Sequence, residues 1–127
     1  MKMYDEYMDQ ECVGICDVIN SIPNCETFES CCGHLKDCFK IFVRTSDEYA
    51  LSVLARSFDK RYSGTSKLWK INLETKDAGN PKFCLYIHSD EKYTDYETMK
   101  QDTEILSNNI KYWLDERFIN HFLERQN

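Results

Sequence analysis

The sequence predicts an α+β domain: a four-stranded antiparallel sheet packed by N-terminal, central and long C-terminal helices. Three observations lead there. Apolar residues recur at spacings of three and four in three stretches, and they alternate with polar residues in four shorter ones. These segments succeed one another as helix, two strands, helix, two strands, helix, without repeats or a linker. The chain of 127 residues is the size of one domain, residues 1–127 taken whole, and can bury a core without metals or disulfides as staples. Its 42% apolar residues, with 8 Tyr, 7 Phe and 2 Trp, are those of a folded chain.

From Tyr4 to Ile22, the residues Tyr7, Met8, Cys12, Ile15, Cys16 and Ile19 fall on one helix face, which makes Cys12 and Cys16 small core residues. Pro23 stops this helix, because proline lacks the amide donor and pushes its predecessor out of helical dihedrals. A short strand is expected over Glu26–Cys31 and a stronger one over Phe39–Thr45, where Phe39, Ile41 and Val43 alternate with Lys40, Phe42 and Arg44. Between them, Cys31-Cys32-Gly33-His34 is expected to be a surface turn at one end of the strand pair.

Ser46 is the expected N-cap of the central helix, with Asp47 and Glu48 in a first turn whose dipole favours anions. Leu51, Leu54, Phe58 and Tyr62 carry its apolar face to the stop at Ser63–Ser66, and Arg56, Lys60 and Arg61 lie on its exposed side. Trp69, Ile71 and Leu73 alternate along one strand. After a turn in Asp77–Pro81, Phe83, Leu85 and Ile87 alternate with Cys84, Tyr86 and His88, which completes a hairpin.

Thr94-Asp95-Tyr96-Glu97 has the form of a capping box, with Thr94 at the N-cap and Glu97 three residues on. Met99, Leu106, Ile110, Trp113, Leu114, Phe118 and Phe122 continue the last helix. About thirty residues at about 1.5 Å each would span about 45 Å, more than a domain of this size covers. The helix is therefore expected to bend near Asn108–Asn109 or Asp115, or to pack its apolar end on a second copy.

The net charge of -6 and pI near 5.0 argue against a nucleic-acid polymer as partner, since such binding draws on Lys and Arg neutralising phosphates. A small anion held by two or three local arginines is compatible with that balance. No window approaches the roughly 18 apolar residues of a membrane span, and Met-Lys-Met-Tyr-Asp-Glu lacks the apolar run of a signal peptide. No membrane association is expected. The expected location is the cytoplasm, where seven cysteines, an odd number, stay reduced.

Three constellations could carry chemistry. Cys25, Cys31, Cys32, His34 and Cys38, with Cys12 and Cys16 upstream, suggest zinc, but their spacing is a poor match to paired knuckles, and adjacent strand residues point to opposite faces. Cys32 with His34 suggests a nucleophile, yet no Asp or Asn is evidently placed to orient the imidazole. Arg44, Arg56 and Arg61 offer planar forks for phosphate, with Phe83 or Tyr86 as a ring for a base. The plainer account of the same residues is buried thiols, a solvated charged face and core aromatics. No catalytic residue, metal ligand or cofactor is assigned, and His88 and His121 read as surface residues.

The run Ile19–His34, with Phe39-Lys40-Ile41-Phe42 and Leu54-Ala55-Arg56-Ser57-Phe58-Asp59-Lys60-Arg61-Tyr62, resembles a family of small proteins coded by phages and prophages, the anti-Thoeris sponge proteins. These bind cyclic ADP-ribose signals made by bacterial TIR enzymes and withhold them from the defence effector. The resemblance implies sequestration without cleavage, a homo-oligomer of two or more copies with sites at subunit junctions, and action inside a bacterial host cell. It implies arginines and an aromatic ring in the pocket, for which Arg56 and Phe83 are the nearest matches; Arg61 and Arg44 join them as expected ligand-binding residues on their own chemistry, as forks for phosphate. A shorter resemblance competes: Ser30-Cys31-Cys32-Gly33-His34 is similar to the Ser-Cys-Ser-Gly-Arg run of wybutosine-type tRNA methyltransferases, which would imply an S-adenosylmethionine enzyme acting on guanine. It departs at two of five positions, and the acidic balance suits tRNA poorly.

Overall fold

A computed structural model of the chain describes residues 8–74 and 79–115. Within them lie three α-helices, α1 (Gln10–Asn20), α2 (Glu48–Ser57) and α3 (Tyr96–Trp113), and four strands, β1 (Cys25–Cys31), β2 (Lys40–Thr45), β3 (Trp69–Glu74) and β4 (Phe83–Ser89). The strands form one antiparallel sheet in the order β1-β2-β4-β3. This is the α+β architecture that the alternating and helical periods predict.

Side-chain alternation gives the sheet two faces. Ile41, Val43, Leu85 and Ile87 point to the helices and are buried, and α3 packs against both α1 and α2 above them. Cys12, Ile15, Cys16 and Ile19 supply the buried face of α1, so the two cysteines are core residues as expected. All seven cysteines are free thiols. Phe39, Phe58 and Trp69 meet ring to ring at 5.2 and 5.7 Å under α2, and each large side chain so buried stabilises the fold by about 1.5–3 kcal/mol.

Helix boundaries differ from expectation where an aspartate outcompetes its neighbour. Asp47, not Ser46, caps α2, because its carboxylate accepts from the amides of both Tyr49 and Ala50. Asp95, not Thr94, caps α3, accepting from the Thr98 amide at 2.7 Å and its hydroxyl at 3.0 Å. Helix α2 stops at Ser57 rather than reaching Tyr62. Asp59 Oδ1 accepts from the Arg61 amide at 2.9 Å, a local turn that offers the backbone an alternative to the helical ladder. Helix α3 ends at Trp113 with a bend at Asp115. Phe118, Phe122 and His121, and the first two residues of the expected turn, Asp77 and Ala78, lie outside the described residues.

The Asp102 side chain, 1% exposed, joins α3 to the segment that enters β3. It accepts from the Ser66 amide (2.8 Å), the Ser66 hydroxyl (2.9 Å), the Lys67 amide (3.1 Å) and the Tyr93 hydroxyl (2.6 Å). Trp69 Nε1 donates to the same Tyr93 oxygen at 2.9 Å. Burial, reinforced by the Asp102 carboxylate, raises the Tyr93 pKa far above a free phenol's. Removing one member of a buried charged cluster leaves the others without a partner. Asp102→Ala is therefore expected to cost about 3 kcal/mol or more in urea unfolding, and Tyr93→Phe about 1–2 kcal/mol.

Candidate functional site

The two predicted arginines of the central helix come together at one groove. Ser52, Ala55 and Arg56 from α2, Asp59, Arg61 and Tyr62 from the turn after it, and Asn109, Tyr112 and Trp113 from α3 enclose about 790 Å³. That lies within the roughly 300–1,000 Å³ of small-molecule sites. Asn109 holds the two walls in register: its amide donates to the carbonyls of Ser57 (3.2 Å) and Ser63 (3.0 Å), so α3 satisfies carbonyls that the end of α2 leaves open.

Local chemistry fixes both arginines. Arg61 makes a bidentate pair with Asp59, Nε to Oδ1 at 3.1 Å and Nη2 to Oδ2 at 2.7 Å. The fork is oriented by that pair while its remaining N–H donors stay available. Arg61 and its backbone amide hold the Asp59 carboxyl down at about 2. Arg56 lies over the Trp113 ring at 5.2 Å, and its Nε reaches Ser52 Oγ at 3.4 Å. Trp113 meets Tyr112 edge to face at 5.0 Å, and the Tyr62 and Tyr112 rings are largely exposed at the rim. Two guanidinium groups beside three aromatic rings can take an anion attached to a flat ring system.

The structure places the other two predicted residues elsewhere. Phe83 opens β4 opposite Thr45, is 49% exposed, and does not line this groove. Arg44 is on the face of the sheet opposite the three helices, where it pairs with Glu26 at 3.0 Å and lies 3.9 Å over the Phe28 ring. Phe28, two residues after Glu26, reaches that face by simple alternation, and the β-bulge there brings Glu29 opposite Phe42 on it as well. Phe42, Tyr86 and His88 extend the row, with centroids 4.9 and 4.3 Å apart. His88 is thus part of an ordered stack, with Asn72 Nδ2 3.1 Å from its Nε2.

The cysteine-glycine-histidine turn gathers a second cluster. Cys32 Sγ lies 3.7 Å from His34 Nδ1, and Asp9 Oδ2 lies 3.5 Å from His34 Nε2 while accepting from the Cys32 amide at 2.9 Å. Asp9 is the partner for the imidazole that sequence reasoning missed, because it stands 23 residues before Cys32. The turn is strained: Gly33, His34 and Leu35 all have positive φ, at 83°, 53° and 63°. Such dihedrals cost a non-glycine residue about 1–2 kcal/mol, and a Cβ at Gly33 would meet the Cys38 carbonyl oxygen at 2.7 Å. Burial, with the nearby Asp9 charge, pushes the Cys32 thiol up to about 12, and the residue is 0% exposed. With no cation beside it among the described residues to draw off the proton, a buried thiol does not serve as a nucleophile. The wider cysteine set does not converge: among the described residues the one group with metal-ligand geometry is Asp9, Cys32 and His34.

No family model, curated protein or solved structure matches the chain.

The Asp59–Arg61 pair makes a direct expectation. Its contribution to folding is present above the ordinary carboxylate range and is lost as pH falls toward about 2, since the folded carboxyl is the stronger acid. Carboxyl NMR should place the Asp59 midpoint near 2, and Arg61→Ala should raise it toward the ordinary value of about 3.9 without reaching it, because the backbone amide at position 61 still donates to the carboxylate.

Proposed function

We propose that the protein binds and sequesters a small cyclic nucleotide, of the cyclic ADP-ribose type, in the groove between α2 and α3, without cleaving it. The observation that carries this reading is the convergence of Arg56 and Arg61 with Tyr62, Tyr112 and Trp113 on one groove. The arginines meet the phosphates, and within one chain Trp113 or Tyr112 takes the stacking role that the sequence assigned to Phe83. Sequestration of a defence signal in a phage setting follows from the sequence resemblance, as does a homo-oligomer of two or more copies.

Charge-assisted hydrogen bonds contribute about 1.5–3 kcal/mol each and stacking about 1–3 kcal/mol per base. Two arginines and one ring therefore supply about 4–9 kcal/mol, a range that includes the roughly 8 kcal/mol of a micromolar complex.

Titration calorimetry with cyclic ADP-ribose isomers and with cyclic di- and trinucleotides tests the proposal. Heat is expected with at least one of them, and the nucleotide should be recovered intact from heat-denatured complex. Arg56→Ala should weaken binding about 10- to 150-fold, the equivalent of one charge-assisted contact, and Phe83→Ala should leave it unchanged. Absence of heat with every ligand, or a chemically altered product, would overturn the reading. Light scattering on the free and bound protein reads the oligomer directly.

A further inference from the structure

We propose that Asp9, Cys32 and His34 form a three-donor site for a divalent transition ion of the zinc class. The nucleotide groove has no part in this inference. Three features support it, and the first is donor geometry. One sulfur, one imidazole nitrogen and one carboxylate oxygen lie within 4.8 Å of one another. Zinc–sulfur and zinc–nitrogen bonds of about 2.3 and 2.0–2.1 Å at tetrahedral angles set the two donor atoms about 3.6 Å apart. Cys32 Sγ and His34 Nδ1 are separated by 3.7 Å.

The second feature is what the backbone does to bring the donors together. Residues two apart in a strand point to the same face with Cα atoms about 6.6–6.8 Å apart, and a turn can bring their donor atoms closer than an extended chain does. Here Gly33, His34 and Leu35 in succession take left-handed dihedrals, which fold the imidazole back over Cys32. Backbone strain of this kind collects where surrounding structure holds a functional group in place.

The third feature is the use of Asp9. It occupies the N-cap position of α1 but makes no side-chain cap, whereas Asp47 and Asp95 cap α2 and α3 in the usual way. Its carboxylate turns instead to the Cys32 amide and His34 Nε2. Cys32 Sγ faces His34 Nδ1 and Asp9 Oδ2 faces Nε2, so an ion taken between Sγ and Nδ1 gains its third donor when the Asp9 carboxylate, 23% exposed, swings from Nε2 around the edge of an imidazole that is 58% exposed. Three protein donors leave one tetrahedral position for water, the arrangement of open rather than closed zinc sites. This proposal departs from the sequence reading, which assigns no metal ligand, and its donor set differs from the cluster of cysteines with His34 weighed there.

Cobalt(II) is the probe, because its thiolate charge-transfer absorption reports sulfur ligation and zinc displaces it. Reduced, chelator-treated protein should bind about one cobalt ion per chain, with that band, and lose it on addition of zinc. His34→Asn is the decisive variant: asparagine tolerates the left-handed backbone, so the circular dichroism should be unchanged while affinity falls at least tenfold. Cys32→Ser should abolish the band outright. If Cys32→Ser does not fold, His34→Asn carries the test alone. No charge-transfer band in the native chain, or a band that His34→Asn weakens less than tenfold, would overturn the site and leave the cluster a purely hydrogen-bonded brace.

Discussion

The buried carboxylate of Asp102 is the constraint on which the arrangement of layers depends. A sheet built from two sequential hairpins can be assembled with helices docked at many angles, because apolar contact is non-directional. Asp102 removes that freedom. Its oxygens need several donors to tolerate burial, and the donors come from Ser66, Lys67 and Tyr93, which flank the β3–β4 hairpin on both sides in sequence. Helix α3 is thereby registered against the start of β3, and Trp69 is locked to Tyr93 above the core. With α3 fixed there, Asn109, seven residues further along it, reaches the turn after α2 and completes the groove.

The sheet then acts as a partition. Its helix-covered face carries the core and, at the ends of α2 and α3, the arginine-aromatic groove. Its other face carries the row Phe28, Phe42, Tyr86 and His88, with Arg44 held by Glu26. Arginines that look equivalent in a list of basic residues are therefore in different electrostatic settings. Arg44 is consumed by a pair and a ring on the strand surface, whereas Arg61 is held by Asp59 in a way that orients its fork toward a cavity. The aspartate lowers the net positive charge of the groove, yet it also reduces the conformational entropy that an arginine loses on binding.

Much of this was legible in the sequence. The alternation of Ile41, Val43, Leu85 and Ile87 named the buried sheet face, and the stripe Cys12, Ile15, Cys16 and Ile19 named the buried face of α1, since both depend on local periods. The grouping of Arg56 with Arg61 was also legible, because five residues on one helix and its exit stay close whatever the tertiary fold. Phe83 was assigned by resemblance and by residue type, and a period of two cannot say which end of a strand sits near which helix. Tyr112 and Trp113 were hidden for a different reason: at the end of an amphipathic stretch, a groove wall and a core residue have the same spacing. Asp9 was hidden because no local rule links it to a turn 23 residues away. Nor was its place just before the first helical residue readable, since the apolar spacing runs on from Tyr4 and puts Asp9 inside the expected helix.

Two tryptophans in distinct environments make the central claim open to a direct reading. Trp69 is buried and hydrogen-bonded to Tyr93, while Trp113 lines the groove beside Arg56. In nitrogen-15 spectra recorded during titration with cyclic ADP-ribose isomers or cyclic di- and trinucleotides, the two indole N–H signals report the two places separately. A nucleotide held between α2 and α3 should shift or broaden the Trp113 signal saturably while Trp69 holds its position. A saturable ligand that leaves Trp113 unmoved, or no response to any of these nucleotides, would contradict the account.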